Sequence, residues 1–248
     1  MELERVIPVP DTKQAMLDGM SEADWKALLA TETWVFDLDN TLYPQRCNLF
    51  AQIDRKMGDF ISRFLGIDYD EARVIQKRYF KEHGTTLNGL MHHHDMAPKE
   101  FLDFVHDIDY SPVLQDDRLD KALEELPGRK IVFTNGTVDH AKATLAQLGI
   151  GGHFDAIFDI VASNYIPKPN PEPYAALIKA YDIDPSKAVM VEDMAKNLKE
   201  PARLGMTTVW VRTSEEWSSM GSEGGHVHHI TDDLSDWLHA LVHGDYGL

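Results

Sequence analysis

Trp34-Val35-Phe36-Asp37-Leu38-Asp39-Asn40-Thr41-Leu42-Tyr43-Pro44 is the stretch on which the rest of the chain depends. An apolar, β-prone run ends in two aspartates one residue apart, then a threonine, a tyrosine and a proline. Carboxylates are costly to bury unless something pairs with them. Here they stand where a buried strand emerges at the edge of a sheet. Successive strand residues face opposite ways, but the strand ends here, so the turn can bring both aspartates toward one spot. Two carboxylates at such a spot suit a hard cation and a phosphoryl group. Taken alone, the stretch reads equally as a strand closed by a polar turn, so the partners must come from elsewhere.

Outward from it, Ser21 and Asp24 form an acidic variant of a capping box, opening a helix over 21–30. The first strand spans 33–38. From about residue 48 the pattern turns helical, with Phe50, Ile53, Met57, Phe60, Ile61, Phe64 and Leu65 at helical spacing. Gly66 ends that helix. Further helices are expected over 69–81, 99–106 and 119–126, with a polar loop over 85–91. An α/β rhythm follows: strands over 130–133, 156–161, 188–191 and 207–211, and helices over 138–148, 172–181, 195–204 and 234–242. Strands alternating with helices imply parallel pairing with right-handed crossovers. The expected fold is α/β: a Rossmann-like, doubly wound parallel sheet with an inserted all-helical cap. Residues 1–47 and 120–248 form the core domain and 48–119 the cap.

Composition narrows the function. At 248 residues, 43% hydrophobic and 26% charged, the chain is an ordinary globular protein. Its formal net charge of −17 excludes a basic field for long nucleic acids or anionic membranes, though not a small phosphate ester held by one local cation. Cys47 is the single cysteine, so no internal disulfide forms, which fits a reducing compartment. Met1–Pro10 mixes charges and prolines and lacks the pattern of a signal peptide. No apolar run approaches the length of a membrane span. A cytoplasmic protein is expected.

Ligands of open parallel sheets bind beyond the carboxyl ends of the strands. Three strand ends carry polar groups there: Asp37 and Asp39, Thr134 and Asn135, and Glu192 and Asp193. Lys168, set between prolines, falls between the second and third of these in sequence. Acidic groups from two strands can hold Mg²⁺, which takes oxygen ligands. A carboxylate can attack phosphorus to give an acyl-phosphate. Because nucleophile and target are both anionic, a metal and a lysine must offset their repulsion. The hydroxyl and N–H groups of Thr134-Asn135-Gly136 can hold the remaining oxygens. A second carboxylic acid can protonate the leaving oxygen and then activate water.

The ordered set resembles the haloacid dehalogenase-like (HAD) hydrolase superfamily over about residues 33–211: Asp37-x-Asp39-x-Thr41, Thr134 at a strand end, Lys168, and Glu192-Asp193. The resemblance implies that Asp37 is the nucleophile and a metal ligand. Asp39 is implied as the general acid/base, with its backbone carbonyl on the metal, and Asp193 as the acidic metal ligand. Thr134 and Lys168 are implied to bind the phosphoryl group, beneath a cap formed by the helical insertion. Dehalogenase members lack an aspartate two residues after the nucleophile and phosphatases use one, so Asp39 favours Mg²⁺-dependent phosphate-ester hydrolysis.

Finer wording resembles the pyrimidine 5′-nucleotidase branch: Asp-x-Asp-Asn-Thr-Leu-Tyr-Pro, Gly84-Thr85-Thr86-Leu87-x-Gly89-Leu90, Phe133-Thr134-Asn135-Gly136 and Glu192-Asp193-Met194-x-x-Asn197-Leu198. This implies a nucleoside monophosphate such as UMP or CMP as the small-molecule partner. Asn197 departs from the broader pattern, where many members carry a second aspartate; it can orient Lys168 or a metal-bound water. Candidate substrate contacts are Asn135 and Gly136 in the core, and Tyr43, His83, Thr85, Thr86 and Asn88 toward the cap; Tyr43 can stack on a base or simply pack, and Thr85 and Thr86 can bond a sugar or base or simply cap their loop. His92-His93-His94 are adjacent and point in different directions, so they are expected to be exposed rather than to share a ligand, with His94 able to reach inward. His226, His228 and His229 are read the same way. The periodic apolar residues of 50–65 read as cap core. Alternatives are a HAD phosphatase for a sugar phosphate or phosphoglycolate, a haloacid dehalogenase, and a non-catalytic binding module on the same scaffold.

Overall fold

The computed structural model describes residues 20–244; Met1–Pro10, read above for its lack of signal-peptide character, lies outside them. Helix α1 (Glu22–Leu29) starts at the capping box: Ser21 accepts from the Asp24 amide and the Asp24 side chain accepts from the Ser21 amide. Strand β1 (Thr33–Phe36) has all four residues buried. Such a strand belongs in the middle of a sheet covered on both faces. β1 pairs in parallel with β2 (Arg129–Phe133) on one side and β4 (Ala188–Glu192) on the other. β3 (Ala156–Phe158), β5 (Thr207–Val211) and β6 (His229–Thr231) extend the sheet in parallel, giving the order β3-β2-β1-β4-β5-β6. The chain reverses its direction of winding between β1 and β4, which opens a crevice at their carboxyl ends.

Strand alternation divides the core. Trp34, Phe36, Val132, Val189 and Val209 face one way, against α6 (Asp117–Glu125), α7 (Val138–Leu148) and α11 (Leu234–His243). Val35, Ile131, Phe133 and Met190 face the other way, against Tyr174 and Leu177 of α8 (Pro171–Tyr181).

Between β1 and α6 lie four α-helices: α2 (Leu49–Leu65), α3 (Tyr69–His83), α4 (Thr86–His94) and α5 (Pro98–Val105). They gather a separate hydrophobic cluster around Ile53, Phe60, Tyr79, Leu90 and Phe101. Gly66 closes α2 at a φ of 67°, a left-handed conformation that favours glycine. A Cβ on Gly89 would lie 2.3 Å from Tyr79 Cβ, so glycine is what lets α4 lie against α3.

Four elements differ from the sequence reading. The expected loop over 85–91 is the first part of α4: Thr85 caps it by accepting from the Asn88 amide at 3.1 Å. The small polar groups that suggested a loop serve the helix instead: Thr85 caps it, the Asn88 side chain donates to the His83 carbonyl, and Gly89 allows contact with α3. β3 stops at Phe158 because Asp159 accepts from the Val138 and Ala162 amides and turns the chain. The helix expected over 195–204 is a 3₁₀ turn (Ala195–Leu198) followed by α9 (Lys199–Leu204), with Pro201 unable to donate. β6 and the short α10 (Glu216–Ser219) lie between the last expected strand and the last expected helix, where no element was expected. His228 Nδ1 accepts from the Thr208 amide at 3.0 Å and ties that segment to β5. Among the described residues no helix is long and apolar enough to cross a membrane.

Candidate active site

The crevice holds the groups singled out from the sequence. Asp37 directly follows β1, and its amide donates to the Val191 carbonyl at 2.9 Å, so it sits beside the end of β4. Thr134 follows β2 and continues its ladder through Phe158. Glu192 ends β4 and Asp193 follows. Lys168 comes from the loop before α8, held because its amide donates to Asn135 Oδ1 at 3.0 Å.

Lys168 is 2% exposed and saturated with acceptors: Asp37 Oδ1 at 2.7 Å, Glu192 Oε1 at 2.9 Å and the Phe133 carbonyl at 2.9 Å. Burial opposes its charge, but Asp37 and Glu192 outweigh that and raise its pKa, so it stays an ammonium. Glu192 is fully committed: it also accepts from the Asn197 side chain at 2.6 Å and the Met194 amide at 2.7 Å. Burial alone would raise Glu192; Lys168 and these donors hold it below the ordinary value. Asn197 therefore reaches Glu192, and orients Lys168 only through it.

Asp37 and Asp193 are the uncompensated charges. Burial, with Glu192 and Asp39 adding repulsion against the pull of Lys168, pushes Asp37 up to about 7. Burial first, then Glu192 and Asp37, raises Asp193 well above the usual carboxylate range. One oxygen from each of Asp37, Glu192 and Asp193 lies within 4.8 Å of the others. Three carboxylates beside one ammonium leave a net deficit of two positive charges. Asp193 Oδ2 and Asn197 Oδ1 are buried with no hydrogen-bond partner. An all-oxygen cradle short by two charges fits a hard divalent cation. The Asp193 backbone is fixed because Trp210 Nε1 donates to its carbonyl at 2.9 Å.

Asp39 stands apart from that cradle. Its Oδ1 accepts from the Tyr43 hydroxyl at 2.6 Å and lies 2.8 Å from His140 Nε2. Burial would raise Asp39, but His140 and the bonds from His140 and Tyr43 hold it low. The His140 ring is stacked on His106 (4.5 Å, 15°), and Tyr110 lies 3.1 Å from its Nδ1. Burial and the His140 ring push His106 down to about 4. Sequence reasoning missed His140. Its one signal is position: it falls in the first turn of the helix that leaves β2, at the sheet edge where the ligand groups converge.

Above these groups lies a cleft of about 220 Å³ between core and helical insertion. Asp37, Asp39, Thr134, Asn135, Gly136, Lys168 and Asp193 line its floor. Thr134 Oγ1 accepts from the Gly136 amide at 2.9 Å, which leaves its own O–H to donate elsewhere. The opposite wall is apolar and aromatic, with Phe50, Ile53, Met57, Phe80 and Phe101, and Trp217 contributing from the core. One edge of the α2 stripe thus faces the cleft, where the sequence suggested cap core throughout. Thr85 and Thr86 line the wall. Of the two readings of Tyr43, stacking on a base or packing, the structure has packing: it is 1% exposed in the core cluster, its hydroxyl spent on Asp39. Asn88 and His83 are not on the cleft wall: the Asn88 side chain donates to the His83 carbonyl at 3.1 Å, joining α3 to α4.

A family model described as haloacid dehalogenase-like hydrolase matches residues 31–205, from β1 through α9. The chain belongs to that family. Its curated relatives include phosphate metabolism protein 8 of Saccharomyces cerevisiae, 26% identical over 235 residues, covering 88% of this chain and 67% of the relative. Among solved structures, the L-2-haloacid dehalogenase of Xanthobacter autotrophicus matches with a TM-score of 0.55 at 17% identity, over 87% of this chain and all of that one. The HAD phosphatase of Thermococcus onnurineus matches with a TM-score of 0.53 at 22% identity, over 85% and 95% of the two chains. Both structures share the fold.

Proposed function

We propose that this hydrolase is a Mg²⁺-dependent phosphatase acting on a nucleoside 5′-monophosphate, with pyrimidines such as UMP and CMP preferred. The observation that carries the reading is the placement of Asp39. A second carboxylate lies beside the Asp37 nucleophile, outside the acidic cradle, held by Tyr43 and His140. Halide displacement has no use for such an acid, whereas ester cleavage needs one for the leaving oxygen.

The roles then follow the geometry. Asp37, Asp193 and the Asp39 backbone carbonyl would hold Mg²⁺, which offsets phosphoryl charge when bound. Asp37 attacks phosphorus and becomes the phospho-aspartate. Thr41 donates to Asp37 Oδ2 at 3.0 Å and Lys168 to Oδ1, fixing the attacking carboxylate. Lys168, the Thr134 hydroxyl and the backbone N–H of Asn135 stabilise the phosphoryl oxygens, with the Gly136 amide orienting the Thr134 hydroxyl. Asp39 protonates the leaving 5′-oxygen and then deprotonates the water that releases phosphate. The helices over 49–105 act as a cap. Their aromatic wall, Phe50 and Phe80 with Trp217 from the core, offers stacking surfaces for a planar base, and Thr85 offers a polar contact to its edge. The phosphatase reading draws further support from the yeast relative's name in phosphate metabolism.

The test is phosphate release from UMP, CMP, purine monophosphates, sugar phosphates and phosphoglycolate, with and without Mg²⁺. Preference for UMP and CMP with loss of activity in chelator is expected. Equal or better turnover of sugar phosphates or phosphoglycolate refutes the nucleotide assignment. Chelator-resistant release of halide from a haloacid identifies a dehalogenase, and silence toward every ester a binding module.

A further inference from the structure

On the cap, away from the catalytic cleft, a second set of metal-ligating side chains converges. His83 is the last residue of α3 and His93 lies in the last turn of α4. The helices approach closely at Gly89, where any side chain would collide with Tyr79. That approach brings His83 Nε2 and His93 Nε2 to 2.9 Å, and one oxygen of Glu82 joins them so that all three ligand atoms lie within 4.8 Å of one another. The sequence pointed elsewhere, because three consecutive histidines cannot share a ligand. The partner of His93 comes from the neighbouring helix.

The arrangement is built rather than loose. The His93 ring stacks flat on Tyr79 (4.9 Å, 12°). Tyr79 is itself 2% exposed, with its hydroxyl 2.7 Å from His94 Nε2. A buried aromatic therefore sets the plane of His93, and the helix end sets His83.

We propose that Glu82, His83 and His93 form a second metal site, for a borderline transition-metal cation of the Zn²⁺ class. Two imidazoles and one carboxylate are the ligand set such cations favour, whereas Mg²⁺ is held by oxygens. Two nitrogens at about 2.05 Å from a tetrahedral zinc stand roughly 3.3 Å apart. A parting of a few tenths of an ångström from the observed 2.9 Å admits the ion. The site sits directly behind the cleft wall. Gly84 follows His83 at a φ of 80°, a Cβ there would touch Pro167 beside Lys168, and Gly84, Thr85, Thr86 and Leu87 line the cleft. A cation joining His83 to His93 closes the segment between them into a loop and braces that wall.

The test uses metal-stripped full-length protein carrying Asp193→Asn, which disables the core acidic cradle. Co²⁺, a coloured stand-in for Zn²⁺, is titrated and its visible absorption followed, then displaced with Zn²⁺. One bound equivalent is expected, weakened at least tenfold by His83→Asn or by His93→Asn, with circular dichroism showing the fold retained. Failure of the parent to bind Co²⁺, or unchanged affinity in either variant, overturns the site. Hydrogen exchange gives an independent readout: Zn²⁺ should slow the amides of residues 85–88 in the parent and not in the histidine variants. Unchanged exchange with Zn²⁺ bound refutes the brace.

Discussion

Lys168→Met removes the ammonium from the centre of the buried charge network and keeps most of the side-chain volume. In the native protein that ammonium serves Asp37 at 2.7 Å and Glu192 at 2.9 Å, and it is 2% exposed. Breaking a buried ion pair by removing one partner costs about 3–5 kcal/mol, because the stranded charge stays out of water. For a chain of this size each kcal/mol moves the melting temperature by about 2–4 °C, so a fall of roughly 6–20 °C is expected at pH 8. The pH dependence fixes the cause. Lys168 has its pKa raised in the folded state, so it remains charged throughout the neutral range and its own titration contributes nothing there. Asp37 already sits at about 7, through burial and its acidic neighbours, and loss of Lys168 raises it further. At pH 5.5 it protonates and the stranded charge disappears. The deficit should therefore be large at pH 8 and shrink at pH 5.5. Mg²⁺ should restore part of the stability at pH 8 but not the turnover, since Lys168 is also the proposed cation for the phosphoryl group. The assay is thermal unfolding at both pH values with and without Mg²⁺. A melting temperature within a degree or two of native at pH 8, or a deficit that grows on acidification, refutes the reasoning.

Asp37→Asn keeps shape and loses the nucleophile, so turnover should vanish with the melting temperature preserved; measurable steady-state phosphate release contradicts that role. His140→Asn and Tyr43→Phe each remove a bond that holds the Asp39 carboxylate low. Each should shift the acidic limb of the pH–rate profile upward and slow turnover by about tenfold, and an unshifted profile removes that residue from tuning Asp39. Asp37 and Asp193 both have folded pKa values above their unfolded ones. Metal-free stability should therefore fall as pH rises from about 4 through 7, and the gain on adding Mg²⁺ should grow over the same window; a gain independent of pH counts against the acidic cradle. Gly89→Ala places a Cβ 2.3 Å from Tyr79 Cβ. Overpacking of this kind costs about 1–3 kcal/mol, so urea unfolding should show a lower midpoint, and an unchanged midpoint means the helices are not held at that distance.

The parallel sheet was legible because β1, β2 and β4 are short apolar runs ending in polar residues, and their ends carry the chemistry. Each was recognisable alone; the sheet order made them neighbours. Asp37, Thr134, Lys168 and Asp193 do meet at one crevice. Tyr43 was legible only as a choice between stacking and packing, and its second task was not: its ring fills the core while its hydroxyl serves Asp39. His140 and the pairing of His83 with His93 were not legible, since both depend on which helices come together, which local spacing does not encode. The 85–91 segment failed for a related reason. Asn88 and Gly89 weaken a helix locally, and the cap by Thr85 together with contact to α3 overrides that preference. β6, three residues long, offers too little pattern to read before its partner β5 is known.

Helix α2 divides its surface between two jobs. Ile53 and Phe60 are buried in the cap cluster, at 2% and 5% exposure, while Phe50, at 38%, touches the cleft from the rim. Asp39, Thr134 and Lys168, the groups proposed for acid–base work and phosphoryl binding, lie on core loops, across the gap from that rim. A change at Phe50 therefore alters the surface a leaving group meets without disturbing either the cap's packing or the reacting carboxylates. Choice of substrate can drift through such rim positions in single steps, each nearly silent for folding. The chemistry beneath is locked by a charge network in which no one residue can move without stranding another. One chain thus carries a face open to substitution and a face bound into a charge network, separated by the width of a cleft.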